Sequence, residues 1–213
     1  MLKDDLTGAE ILTELNKFKD KLKPGDTLVF FFSGHGSTVK DNDKDEQLPD
    51  AKTEDDEVMV GKNNTFVTDD QLAEKLKEIA VDSVTTMVIL DSCASGGMWG
   101  GKGDLNTVKN IYLLASIDEV TLRCGLFDFT KVLSEGLKGD ADSNNDGKIT
   151  MEEIFKYIDD KHEQGEKPIL FKSVDEKHER PIAIVPEPST LLLIGSGLAG
   201  IFVFGRKGLF KKA

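Results

Sequence analysis

A histidine held between two glycines and a cysteine followed by a run of small residues each close an apolar segment of this sequence. The first lies in LVFFFSGHGS, residues 28–37, and the second in VILDSCASGG, residues 88–97. A cysteine becomes a nucleophile when a nearby histidine favours its thiolate or takes its proton. The same histidine can then protonate a leaving amine. His35 and Cys93 are the candidates for these roles. Such a reaction also needs backbone N–H donors for the oxyanion, and tight glycine turns supply them.

A second constellation is DSNNDGKITMEE, residues 142–153. Asp142, Asn144 and Asp146 occupy positions 1, 3 and 5 of the EF-hand template, and Gly147 falls at its sharp turn. Lys148 offers a carbonyl, Thr150 falls at position 9, and Glu153 is the bidentate twelfth ligand. The pattern predicts a Ca²⁺ loop followed by a helix from 151 to about 161. A lone loop of this kind is structural rather than a sensor. No organic cofactor is expected.

The elements around these residues must hold them. Thr7 and Glu10 form a capping box, after which Ile11, Leu12, Leu15, Phe18 and Leu22 follow helical spacing. Pro24-Gly25-Asp26 then turns the chain into a strand over Thr27–Ser33. Residues 37–57 hold nine acids and three lysines without apolar periodicity, and read as a long solvated loop. Thr68 and Gln71 cap a helix carrying Leu72, Leu76 and Ile79. Residues 84–91 and 110–116 read as buried strands, and 126–137 as a helix. Strands alternating with helices predict an α/β fold with a mostly parallel sheet. Ligands in such sheets sit beyond the carboxyl ends of the strands. Adjacent parallel strands would place His35 and Cys93 on one rim.

The formal net charge is −12. The last 28 residues hold Glu187 against Arg206, Lys207, Lys211 and Lys212, so they carry +3 and the remainder −15. An acidic body argues against a nucleic-acid binder and favours basic partners or a divalent cation. Two cysteines, Cys93 and Cys124, are too few for a disulfide scaffold. No secretory signal opens the chain. Residues 188–205 are uncharged and just long enough to span a bilayer, with a basic flank expected on the cytoplasmic side.

On these residues the chain resembles the caspase-like cysteine peptidases, nearest the metacaspase and orthocaspase branch. FFFSGHGS and VILDSCASGG look like the histidine and cysteine motifs. Similarity continues in DDEVMV, VTDDQLAEKL and GLFDFTKVLSEGLKGDADSNNDGKIT, and covers roughly residues 7–170. The resemblance implies His35 as general acid/base and Cys93 as nucleophile, with the N–H groups of Gly36 and Cys93 as the oxyanion hole. It implies that Asp91 and Ser33 line a pocket for Arg or Lys. A carboxylate there pairs with guanidinium or ammonium and repels an acidic side chain. Ala94 stands where many metacaspases have histidine. In the family a strand, a helix and a further strand precede the helix at which this chain starts, so Met1 is expected to be an internal methionine.

The tail, residues 185–212, resembles the PEP-CTERM sorting signal, with Pro186, Glu187 and Pro188 as its motif. This implies export in a Gram-negative bacterium, transit through the inner membrane, and an exosortase-type enzyme as partner. Release to the cell surface or extracellular matrix would follow. The expected organisation is a catalytic core over 1–138, the calcium loop and helix over 139–162, the end of the catalytic domain over 163–185, and the sorting signal with its transmembrane helix over 186–213. The expected activity is endopeptidase cleavage after Arg or Lys in protein or peptide substrates, with Lys102 and Lys109 as candidate self-cleavage points. The alternatives are a non-catalytic, calcium-binding matrix or surface protein on a truncated peptidase fold, and acyl or sulfur transfer by Cys93.

Overall fold

Strands buried on both faces read as unbroken apolar runs, and two such runs form the centre of this fold. The computed structural model describes residues 3–40, 55–81, 83–118, 128–162, 167–175, 177 and 179–185. The chain runs α1 (Gly8–Asn16), β1 (Thr27–Ser33), β2 (His35–Lys40), β3 (Asp55–Gly61), β4 (Thr65–Thr68), α2 (Asp69–Ile79), β5 (Thr85–Asp91) and β6 (Ile111–Ala115). It continues through α3 (Phe129–Glu135), β7 (Lys148–Ile149), α4 (Met151–Asp159), β8 (Ile169–Ser173) and β9 (Ala183–Ile184).

The main sheet has the order β1-β5-β6-β8. β1, β5 and β6 are parallel, and β8 is antiparallel to β6. Side chains alternate across it. Val88, Leu90, Ile111 and Leu113 face a core built with α1 and α2. Met87, Ile89, Tyr112 and Leu114 face a second core built with α3 and α4. The result is the expected mixed α/β sheet flanked by helices. β1 and β5 pair in register from Thr27↔Thr85 to Ser33↔Asp91, so the histidine and cysteine motifs leave the sheet at the same end.

Helix starts follow the sequence closely. Thr7 with Glu10 and Thr68 with Gln71 form complete capping boxes, and so does Thr150 with Glu153. α1 is shorter than its apolar spacing predicts. After Asn16 the backbone bonds run i to i+3, as in Phe18 N–H to Leu15 and Lys19 N–H to Asn16. Phe18 and Leu22 still pack against the first core from this tightened turn.

The ends of the expected loop over 37–57 are corrected. Ser37–Lys40 lie in β2 and Asp55–Glu57 in β3, which pair antiparallel from His35↔Val60 to Lys40↔Asp55. β4 completes this small sheet. The middle of that segment lies outside the described residues, as do Cys124, His178 and the whole tail with its sorting motif and apolar span. Among the described residues no helix is long and apolar enough to cross a membrane.

Candidate functional site

β1 ends at Ser33, and Gly34 continues the sheet by one bond, its N–H donating to the Asp91 carbonyl at 3.1 Å. The chain then turns into β2, which begins at the exposed His35. Gly36 is the point of closest approach. A Cβ placed on it would stand 2.0 Å from the Cys93 carbonyl oxygen and 3.1 Å from the Cys93 nitrogen. Only a residue without a side chain allows this contact. The backbone beside the histidine is therefore pressed against the backbone of the cysteine, and the N–H-bearing residues Gly36 and Cys93 lie side by side.

The cysteine loop is bound to the neighbouring strand end. Ser116 N–H donates to the Leu90 carbonyl, its hydroxyl reaches the Ser92 carbonyl at 3.4 Å, and Ser95 Oγ reaches the Ile117 carbonyl at 3.4 Å. Ala94 turns the chain with φ +54°, a left-handed conformation that disfavours any side chain. Cys93 itself is disulfide-bonded. Thiolate chemistry at Cys93 therefore starts from reduction of this bond.

Asp91 is half-buried at the end of β5. Ser33 Oγ donates to its Oδ2 at 3.3 Å, so the two expected pocket residues are in contact.

Three buried carboxylates support the cysteine loop, and the sequence reading assigned them no role. Glu57 on β3 is 2% exposed, and a Cβ at Gly97 would stand 2.3 Å from its carboxyl carbon. The loop after Cys93 thus rests on Glu57. Glu57 N–H donates to Asp69 Oδ2 at 2.9 Å, tying β3 to the start of α2. Asp104 accepts from Gly101 N–H and closes the same loop. Burial first, and then the nearby Asp104, push the Asp69 carboxyl up to about 9. The signal in the sequence was present as acids inside apolar segments, DDEVMV and VTDDQL.

The residues of the acidic loop lie on the opposite layer. Asn145 and Gly147 take φ values of 59° and 78°. The Asp142 carboxylate accepts from Asp146 N–H at 3.2 Å and from Gly147 N–H at 2.9 Å, and Asn144 Oδ1 accepts from Asp146 N–H at 2.8 Å. Glu153 reaches back to Thr150 and Ser143, both at 3.0 Å. Burial alone would raise its carboxyl, but bonds from Thr150, Ser143 and the Asn144 backbone outweigh this and hold it below the usual range. The wound backbone and the oxygen donors suit a hard cation. Among the described residues no three His, Cys, Asp or Glu side chains are grouped as a cation cage, and the Glu153 carboxylate accepts from Thr150 at its own helix cap. β7, inside this loop, pairs with β9, flanked by bonds from Ile182 N–H to Ile149 and from Val185 N–H to Gly147, both 2.8 Å.

Comparison with known proteins bears on both ends of the chain. A family model for the metacaspase, peptidase C14 domain matches residues 1–100. One for the PEP-CTERM protein-sorting motif matches residues 185–207. Metacaspase-8 of Arabidopsis thaliana is 33% identical over 92 residues, covering 43% of this chain and 23% of that protein. The chain thus spans less than a quarter of that relative's length. The crystal structure of protein GSU0716 from Geobacter sulfurreducens superposes with a TM-score of 0.62 at 23% identity, over 84% of this chain and 80% of that one. That likeness is one of fold. Residues 1–100 are thus similar to the metacaspase, peptidase C14 domain, and residues 185–207 match the PEP-CTERM protein-sorting motif.

Proposed function

We propose that the protein is a cysteine endopeptidase that cuts after Arg or Lys, with His35 and Cys93 as its dyad. The observation that carries this reading is the contact of Gly36 with the Cys93 backbone, which joins the histidine strand to the cysteine loop. In the reaction the Cys93 thiolate attacks the scissile carbonyl. The N–H groups of Gly36 and Cys93 donate to the oxyanion, and His35 protonates the leaving amine. Water then attacks the thioester, giving its proton to His35 and releasing the acid and the free thiol. Asp91, beside Ser33, takes the cationic side chain before the cut bond.

The loop over Asp142, Asn144, Asp146, Lys148, Thr150 and Glu153 is proposed to hold Ca²⁺ as a structural ion once Glu153 leaves its cap. When bound, the ion would supply charge neutralisation within this loop and no step of the peptide chemistry. The sorting motif implies an exosortase-type partner and a surface or extracellular destination in a Gram-negative bacterium. The expected passage is across the inner membrane. The disulfide at Cys93 favours one second reading, a non-catalytic surface protein in which this sulfur is a staple.

The deciding experiment is peptide hydrolysis by the full chain after reduction. Substrates carry Arg, Lys or Asp before the cut bond, and Cys93→Ala is the control. Hydrolysis after Arg and Lys, lost in the control, supports the peptidase. A folded, reduced protein that cuts none of them supports the staple.

A further inference from the structure

The Asp91 carboxylate is held from two sides. Ser33, its register partner across β1 and β5, donates from Oγ to Oδ2 at 3.3 Å. Thr130, in the first turn of α3, donates from Oγ1 to the same oxygen. Strand alternation explains the meeting. Met87 and Ile89 face the α3–α4 layer, so Asp91, on the same face, points toward it as well. Phe129, fully buried in that layer, anchors the start of α3 beside the strand end.

The consequence is an asymmetric carboxylate. Both hydroxyls use Oδ2, and among the described residues no donor reaches Oδ1. Rotation about the last torsion of an aspartate is soft, and would otherwise exchange the two oxygens. The Ser33 bond is long and offers weak restraint. Both donors are neutral, so neither cancels the charge that a cation would seek.

We infer that Thr130 is a positioning residue for substrate specificity: it fixes Oδ2 so that Oδ1 is presented to the basic side chain before the cut bond. This rests on the peptidase reading above. Thr130 touches neither the cut bond nor the cation, and acts through Asp91.

The test compares wild type, Thr130→Val and Thr130→Ser as reduced full chains. The peptides differ only in carrying Arg or its neutral isostere citrulline before the cut bond. Losing a hydrogen bond to a charged group predicts a KM for the Arg peptide raised about tenfold in Thr130→Val, with kcat retained. The citrulline peptide should be unaffected, and Thr130→Ser should behave as wild type. Thermal melts accompany each variant. If Thr130→Val does not fold, Thr130→Ala against Thr130→Ser makes the same comparison. Equal losses on both peptides would reduce Thr130 to packing of α3 and overturn the inference. So would a Thr130→Val enzyme matching wild type on Arg. A wild type without Cys93-dependent hydrolysis would overturn the peptidase reading and this inference with it, a failure visible before any Thr130 variant is compared.

Discussion

The α-carbon of Gly36 faces the backbone of Cys93 so closely that a methyl group on it would stand 2.0 Å from the Cys93 carbonyl oxygen. Relief would have to come from movement of backbone, since no flexible side chain lies at the contact. Gly36→Ala should therefore separate the histidine strand from the cysteine loop. A displacement near 1 Å between reacting groups costs about 100-fold in rate. Hydrolysis should fall by that order, while the melting temperature, set mainly by the two cores, changes little. Full activity in Gly36→Ala would show that the contact does not align the site.

The disulfide at Cys93 makes a redox prediction. Two thiol equivalents of an external reductant supply two electrons and two protons. They free two protein thiols and are themselves left as a disulfide. Before this exchange neither alkylation of Cys93 nor peptide hydrolysis should be measurable, and both should appear after it. Equal hydrolysis by oxidised and reduced protein would refute the proposed nucleophile.

Asp69 predicts a direction for the pH dependence of stability. Its carboxyl, at about 9 when folded, titrates near 4 in an unfolded chain. The folded state thus binds the extra proton between these values. Its contribution is complete below pH 4 and is lost as pH rises through about 9. In chelator-containing buffer, denaturation midpoints should fall from neutral to alkaline pH. Substitution of Asp69 by asparagine should flatten that slope, although one of its two backbone bonds is lost. A wild-type slope of opposite sign would contradict the assignment.

For the acidic loop the measurement is thermal. Ca²⁺ at about 100 times its dissociation constant stabilises a folded protein by roughly 2.7 kcal/mol. For a chain of this size that raises Tm by on the order of 5 °C or more. Asp142→Ala should abolish the rise, and Mg²⁺ should not reproduce it. An unchanged wild-type melt would remove calcium from the description.

What was legible in the sequence were features written in contiguous residues. The run at β5 is apolar because both faces of the sheet are covered there, β1 is an apolar edge strand with Val29 and Phe31 exposed, and their shared register puts Ser33 opposite Asp91. Capping boxes at Thr7 and Thr68 are local chemistry. β2 and β3 were hidden because their outer ends are polar. They are held by cross-strand partners, Lys40 opposite Asp55 and Thr38 opposite Glu57, which no single segment reveals. The Glu57–Gly97 and Thr130–Asp91 contacts join residues 40 and 39 positions apart in chain order. Their residue types are ordinary for a surface, and only the folded chain gives them meaning.

The pairing of β7 with β9 has a mechanical consequence. The sorting tail continues directly from Val185, whose N–H is bonded to Gly147. Tension on the tail is therefore received first by this two-residue clasp and passed to the acidic loop and α4. α4 in turn shares a buried core with Met87 and Ile89 of β5, so the Cys93 loop lies behind the clasp and this core. A pull on the tether would strain the loop before it could distort the rim where the chemistry is proposed to occur.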